Sequence, residues 1–486
     1  MNSFRSFKYT PNFKPIIILL SILVIAIFLY SIIQILGTET YPLYSDEYEY
    51  SKNMENFLEN HTLSSALTLD EKYSKIGNYS FHGFSYTLLY GYLATVLHTN
   101  SVIVVNIFLS LSSLLFILLI KELTFLSKIR LIALLVSYPV FYLYALSYMV
   151  ESIHLLLSVI ISYFLYKYLV KNLPIYNWII IATLFGASLL RQTWFVYIFS
   201  IFFKNGQRGK WILHIFLVVM FLSAILIGLY FFYASYENSF LHYLLQKSHN
   251  LYEFLKTIIG HFIENLQLYF FNYVNSFYYF SKIGLVCLLL ASFYYGLKEK
   301  NNYLLSISFV GWCYFFMLLF LYNATAWREL RVLGVVYISL LVALSLMKKQ
   351  RVLNFFFIAQ ILLFPSVIEY YNDTRTIFYQ QPLSKKQEQK LASYNSLASV
   401  IHSDGKKEVL IIVENGLLTL NYNRALDVLP LKAKDGTVLR YSIGYFSKFR
   451  VQKTKGDYLL TKKIYPNLHL ITKNDFFNLY KTGNQK

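Results

Sequence analysis

Only two cysteines occur in 486 residues, Cys287 and Cys313. Both lie inside apolar runs without a CxxC partner, which excludes a disulfide framework and a cysteine-ligated metal and leaves them as small packing residues. Charge is scarce as well. Asp, Glu, Lys and Arg make up 14% of the chain, too few to cover a soluble protein of this length. Acid is scarcer than base: 25 acidic residues face 44 basic ones, for a formal net charge of +19. No internal repeat and no low-complexity segment is present.

Hydrophobic residues fill the gap, at 56% of the chain, with a mean hydropathy of +0.46. These values predict a polytopic α-helical membrane protein, and the apolar runs approach the ~20 residues needed to cross a bilayer. Tyr and Phe are abundant, as suits rings at the headgroup level. In a soluble protein the basic balance would suggest nucleic acid. Here it is expected from Lys and Arg retained in cytoplasmic loops, and no nucleic-acid partner is implied. Attraction to anionic membrane lipids is a second use of the same charge.

Arg5, Lys8 and Lys14 precede the first run, Pro15 to Leu36, and place the N-terminus in the cytoplasm. That run is too long for a signal-peptide core, and no small-residue cleavage site follows it. The loop 37–100 is then outside, and its apolar stretch Phe84–Leu97 reads as interfacial or re-entrant. Further runs follow at 101–120, 131–150, 153–169, 174–190, 193–203, 211–233, 277–297, 303–322, 332–347 and 352–368, about eleven crossings in all. Residues 234–275 form a second outer loop with amphipathic helices. Every loop this alternation assigns to the cytoplasm is basic, an agreement that one missed crossing would break. The division is therefore a transmembrane domain, 1–368, and a small extracytoplasmic α/β domain, 369–486. In the latter, "KKQEQKLASYNSLASVIHS" has helical periodicity, and "EVLIIV" and "DYLLTKK" read as strands.

The polar residues that stand out share the outer side. "YPLYSDEYEY" carries Asp46, Glu47 and Glu49 just after the first span. Asp46 is the first choice for a base, Glu47 its rival, and Glu49 a solvated neighbour. Glu151 occupies a very short turn between two spans, where it could also cap the returning helix. Arg191 ends another span, where it could snorkel or clamp a phosphate. "WRELRVL" offers Arg328 and Arg331, three apart, with Glu329 between them. Trp327 beside them would also suit a plain interface anchor. A charge this near hydrocarbon costs ~2–3 kcal/mol if driven to the bilayer centre, so these positions point to a paired, functional site. His82 follows the acidic loop. A divalent metal shared by Asp46, His82 or His242 would polarise a phosphate leaving group, although spacing alone defines no such site.

In order along the chain stand one span, an outer loop opening with Asp-Glu, "FHGFSYTLLYGYLATVLH", two spans joined by "MVES", and "GASLLRQTWFVYIF". This series resembles the GT-C superfold of integral-membrane glycosyltransferases, such as protein O-mannosyltransferases and aminoarabinose transferases. The likeness covers about residues 15–203, and more loosely "WREL" and the outer C-terminal domain. It implies a polyprenyl-phosphate-sugar donor and a glycan, lipid or protein acceptor. Chemistry would take place on the outer leaflet, and a bacterial inner membrane is the expected setting. By carry-over Asp46 would be the general base, with Glu47 beside it and Glu151 as the second acidic residue. His82 corresponds to the histidine of an "HPPL"-like stretch, but "HGFS" lacks both prolines. Arg191 corresponds to an arginine normally followed by Pro, whereas Gln192 follows here. The residue chemistry is compatible: a base takes the acceptor proton, and Arg191, Arg328 and Arg331 stabilise the departing phosphate. Direct displacement would invert the anomeric carbon. A glycan polymerase or ligase would leave the acidic pair unexplained. A lipid-glycan transporter would carry mid-span charges and repeats.

Overall fold

The computed structural model describes residues 14–69, 84–204, 250–321, 330–402, 405–414, 416–418, 421–443 and 456–482. Helix α1, Lys14–Leu36, shows how the bundle is built. Its buried residues Ile17, Ser21, Val24, Phe28, Ile32 and Ile35 recur at helical spacing and form one stripe. Ile16, Leu19, Ile22, Leu23, Leu29 and Ile33 are exposed on the other sides. An apolar exterior of this kind is stable only against lipid.

Six helices are long and apolar enough to cross a membrane. They are α1, α4 (Val102–Leu119), α7 (Glu151–Leu169), α10 (Ser276–Lys298), α11 (Asn302–Leu321) and α13 (Gln350–Tyr371). Helix α13 continues through a π turn, Asn372–Thr376, to Gln380, beyond the expected limit at Ile368. The expected span 131–150 is instead a bent pair, α5 (Phe125–Val136) and α6 (Pro139–Ala145), turned by 70° at Pro139. Helix α8 (Ile175–Leu190), the 3-10 helix Gln192–Phe203 and α12 (Leu330–Leu346) are apolar but short. The expected span 211–233 lies outside the described residues. The chain is thus a helical membrane protein with six spanning helices, or seven with the bent pair, among the described residues. Cys287 on α10 is exposed, not packed, and Cys313 is partly buried; the two are not bonded.

In the second expected outer loop, the described part is one helix, α9 (Leu251–Phe271). Its buried residues are His261, Asn265 and Tyr269, while Leu251, Leu255, Ile259 and Ile263 are exposed. Asn265 donates to the Leu319 carbonyl, and Tyr269 donates to the Lys282 carbonyl. The exposed surface of this helix also carries Glu253, Lys256, Glu264 and Gln267, so it is mixed and not purely apolar.

Helix α2 (Ser45–Asn60) lies between the bundle and a mixed sheet of order β1-β3-β2-β4-β6-β5. The expected strands are β2 (Glu408–Val413) and β4 (Tyr458–Thr461), joined by β3 (Val438–Ile443), β5 (His469–Lys473) and β6 (Asn478–Lys481). Helices α14 (Lys385–Asn395) and α15 (Leu397–Val400) fill the expected helical stretch. The edge strand β1, Leu67–Leu69, comes from the first outer loop and pairs in parallel with β3. The C-terminal sheet is therefore completed by a segment more than 300 residues upstream. Helix α3 (Phe84–Val96) packs across α2 at Gly91, where an added Cβ would stand 2.2 Å from the Phe57 ring.

Candidate functional site

One end of the bundle gathers the C-terminus of α1, the turn before α7, the C-terminus of α8 and the N-terminus of α12. Tyr148 donates to the Thr40 carbonyl and Tyr371 to the Leu146 carbonyl, which ties these ends together. Asn106 on α4 donates to the carbonyls of Ser147 and Met149 at 2.7 and 2.6 Å. That double bond pins the tight turn, so Glu151 opens α7 in a fixed place. The opposite end carries Lys and Arg: Lys167 pairs with Glu122, Lys349 with Glu299, and Arg130 with Asn354.

Three ion pairs form at the first end. Arg191, in extended conformation between α8 and the 3-10 helix, reaches both carboxylate oxygens of Glu151 from Nη2, each at 2.7 Å. The Glu151 side chain is only 2% exposed. Arg331 on α12 stands 3.4 Å from the Asp46 carboxylate, and these side chains are 26% and 32% exposed. Asp46 and Tyr50 occupy one face of α2, and the Tyr50 ring packs on Tyr86 of α3, with centroids 5.5 Å apart. Tyr50 lies within electrostatic range of Asp46, Arg331 and Glu151, and Arg191 within range of Tyr86 and Arg331. The four charges named from the sequence, Asp46, Glu151, Arg191 and Arg331, therefore converge from α2, α7, α8 and α12.

Glu47 turns the other way. It is fully buried and accepts from both terminal nitrogens of the Arg375 guanidinium, Nη2 at 2.5 Å and Nη1 at 3.3 Å. Its Oε2 also accepts the Leu43 N–H at 2.9 Å. A carboxylate so fully engaged is a structural anchor. Glu49 is buried and not solvated, because α2 is covered on both sides. His82, His242 and Arg328 lie outside the described residues. Among the described residues, no three or more His, Cys, Asp or Glu gather as a metal would require. Asp46, the remaining metal candidate, faces Arg331.

Three residues of this end were not singled out from the sequence. His154 is fully buried one turn along α7 from Glu151. It meets Tyr86 Oη through Nε2 at 2.5 Å and accepts the Trp194 indole N–H at Nδ1, 2.9 Å away. Glu151 and His154 face Arg191 and Trp194 as two rungs with the same three-residue spacing. That matched spacing is the signal in the sequence that could have revealed them. Compared with protein-family models and with curated proteins, the chain matches none.

Proposed function

We propose that this protein is a membrane glycosyltransferase that moves a sugar from a polyprenyl-phosphate donor to an acceptor hydroxyl or phosphate on the extracytoplasmic face. The observation that carries the reading is the contrast between two ion pairs at one bundle end. Glu151 is sealed and neutralised by Arg191, whereas Asp46 remains partly open beside a partly open Arg331. An accessible carboxylate next to a cation suits a base that takes the acceptor proton, and the arginines suit a phosphate leaving group. Asp46 is the proposed base, Glu151 orients Arg191, and Arg191 and Arg331 bind phosphate. With one base and no covalent nucleophile, displacement inverts the anomeric centre. The site end faces outward, the basic end faces the cytoplasm, and a bacterial inner membrane is the proposed location.

The test uses purified protein in lipid vesicles with lipid-linked sugars extracted from the host membrane, following the release of polyprenyl phosphate. Asp46→Asn should lower the rate by at least ~100-fold, the scale of a lost general base, while the protein stays folded. Undiminished release by the variant would sink the assignment.

A further inference from the structure

Arg130 lies in the second turn of α5, at the basic end of the bundle. It is 1% exposed, and α1, α12 and α13 pack against its helix. A guanidinium does not shed its proton in a protein, so this charge is permanent. Arg191, Arg375 and Arg440 are also largely withdrawn from water, and each faces a carboxylate: Glu151, Glu47 and Glu408. Arg130 pairs with no carboxylate among the described residues. Its one hydrogen bond runs from Nη1 to Asn354 Oδ1 on α13, at 2.7 Å. Nε and Nη2 are buried and have no acceptor in the protein. These two nitrogens form one edge of the planar fork, with their N–H bonds parallel, and Nη1 lies across the group from Nε–H. The two-donor edge is the one that meets two oxygens of an oxyanion at once. Asn354 therefore holds the group by its other side and leaves that edge unsatisfied. Burying a charge without a partner is expensive, and a water molecule would accept a hydrogen bond without supplying the missing charge.

We propose that the Nε–Nη2 edge of Arg130 binds a phosphate group, at a site separate from the mouth and independent of the glycosyl-transfer reading. The phosphate of an anionic phospholipid is the source the surroundings favour. Asn354 is half-buried, and Phe355 and Ile358 beside it on α13 are exposed and apolar, so the seam between α5 and α13 opens toward lipid. Lys14, Lys348 and Arg351 are exposed at the same end and attract anionic headgroups to it. Free phosphate from the aqueous side offers the same two oxygens and is the other source.

The test follows the thermal midpoint of the full-length protein after exhaustive exchange into a neutral detergent, because a ligand of the folded state raises it. Dioleoylphosphatidylglycerol should raise the wild-type midpoint, and dioleoylglycerol, which lacks phosphate, should not. In Arg130→Met an apolar side chain replaces the buried charge, and the half-buried Asn354 can turn to water. Without lipid this variant should be at least as stable as wild type, as when other buried ions give way to apolar groups. Its affinity for phosphatidylglycerol, read from midpoint against lipid concentration, should be roughly 100-fold weaker, the scale of two hydrogen bonds to a charged acceptor. The variant keeps every exposed Lys and Arg of this end, so general attraction to anionic lipid is common to both proteins. Inorganic phosphate separates the sources. A rise that phosphate alone reproduces in wild type, and that Arg130→Met abolishes, keeps the site and assigns it to a free anion. An equal response of Arg130→Met and wild type to phosphatidylglycerol overturns the proposal, and so does a wild type that responds to neither probe. If Arg130→Met does not fold, Arg130→Gln is read in the same way. Should both fail to fold, a wild type stabilised no more by the phosphate-bearing probes than by dioleoylglycerol overturns it.

Discussion

Asp46 and Glu47 are neighbours on α2, yet they belong to two different regions of the molecule. One face of the helix turns to the bundle mouth and carries Asp46 and Tyr50. The rest is held by the end of α13 and the C-terminal sheet. There Glu47 meets Arg375, Lys52 donates to the carbonyls of Asp427 and Leu429, and Asn53 accepts from Ala66 N–H. Tyr422 donates its N–H to the Leu43 carbonyl at 2.7 Å from the left-handed region, at φ 56°. A tyrosine there carries ~1–2 kcal/mol of backbone strain, which the surrounding contacts must offset. On the held side Glu47, Lys52 and Asn53 are matched by protein groups, while the mouth keeps partly exposed charge. Function is to be sought where the charge is left accessible, and stability where it is not.

The largest expected effect comes from breaking the buried pair. Arg375→Ala leaves Glu47 charged, buried and unpaired, which should cost ~3–5 kcal/mol. In detergent its thermal midpoint should drop far below wild type. A midpoint within experimental scatter would show that the held side does not anchor α2.

A somewhat smaller effect is expected from Asp427, beside Lys52, Glu55, Arg424 and Glu39 at the α2 interface. Burial pushes its carboxyl up to about 6, from an ordinary 3.8, against the pull of Lys52. The folded state thus holds this proton at pH values where the unfolded chain has lost it. Its contribution is fully present below pH 3.8 and is lost as pH rises through about 6. The difference, roughly two pH units, is worth about 3 kcal/mol. Wild type should therefore lose stability between about pH 4 and 6 relative to Asp427→Asn. Parallel stability curves for the two proteins over that interval would contradict this.

The legibility of the two regions differs for a physical reason. Asp46, Glu151, Arg191 and Arg331 stood out because charge at a span end is expensive and has few bland explanations. His154, Tyr86 and Trp194 did not, since an aromatic residue in an apolar run is indistinguishable from packing. Arg375 was not singled out either, because its partner is 328 residues away and nothing local marks the pair. Strand β1 is three residues in a loop, too short for alternation to show, and only pairing with β3 makes it a strand. Hydropathy also does not show a break within a continuous apolar run, as at Pro139 between α5 and α6.

The smallest stability effect should come from Arg331→Ala, and it sharpens the comparison most. The Asp46–Arg331 pair is 3.4 Å apart and partly exposed, so water can replace the lost partner. Pairs of this kind contribute ~0–1 kcal/mol, and the thermal midpoint should stay close to wild type. Release of polyprenyl phosphate should nevertheless fall by ~100-fold or more, because a cation is lost where the leaving group gains charge. Arg375→Ala and Arg331→Ala would then separate cleanly, one losing the fold and the other only the rate. If Arg331→Ala unfolds the protein as readily as Arg375→Ala, the mouth is as structural as the held side, and the assignment of Asp46 loses its physical basis.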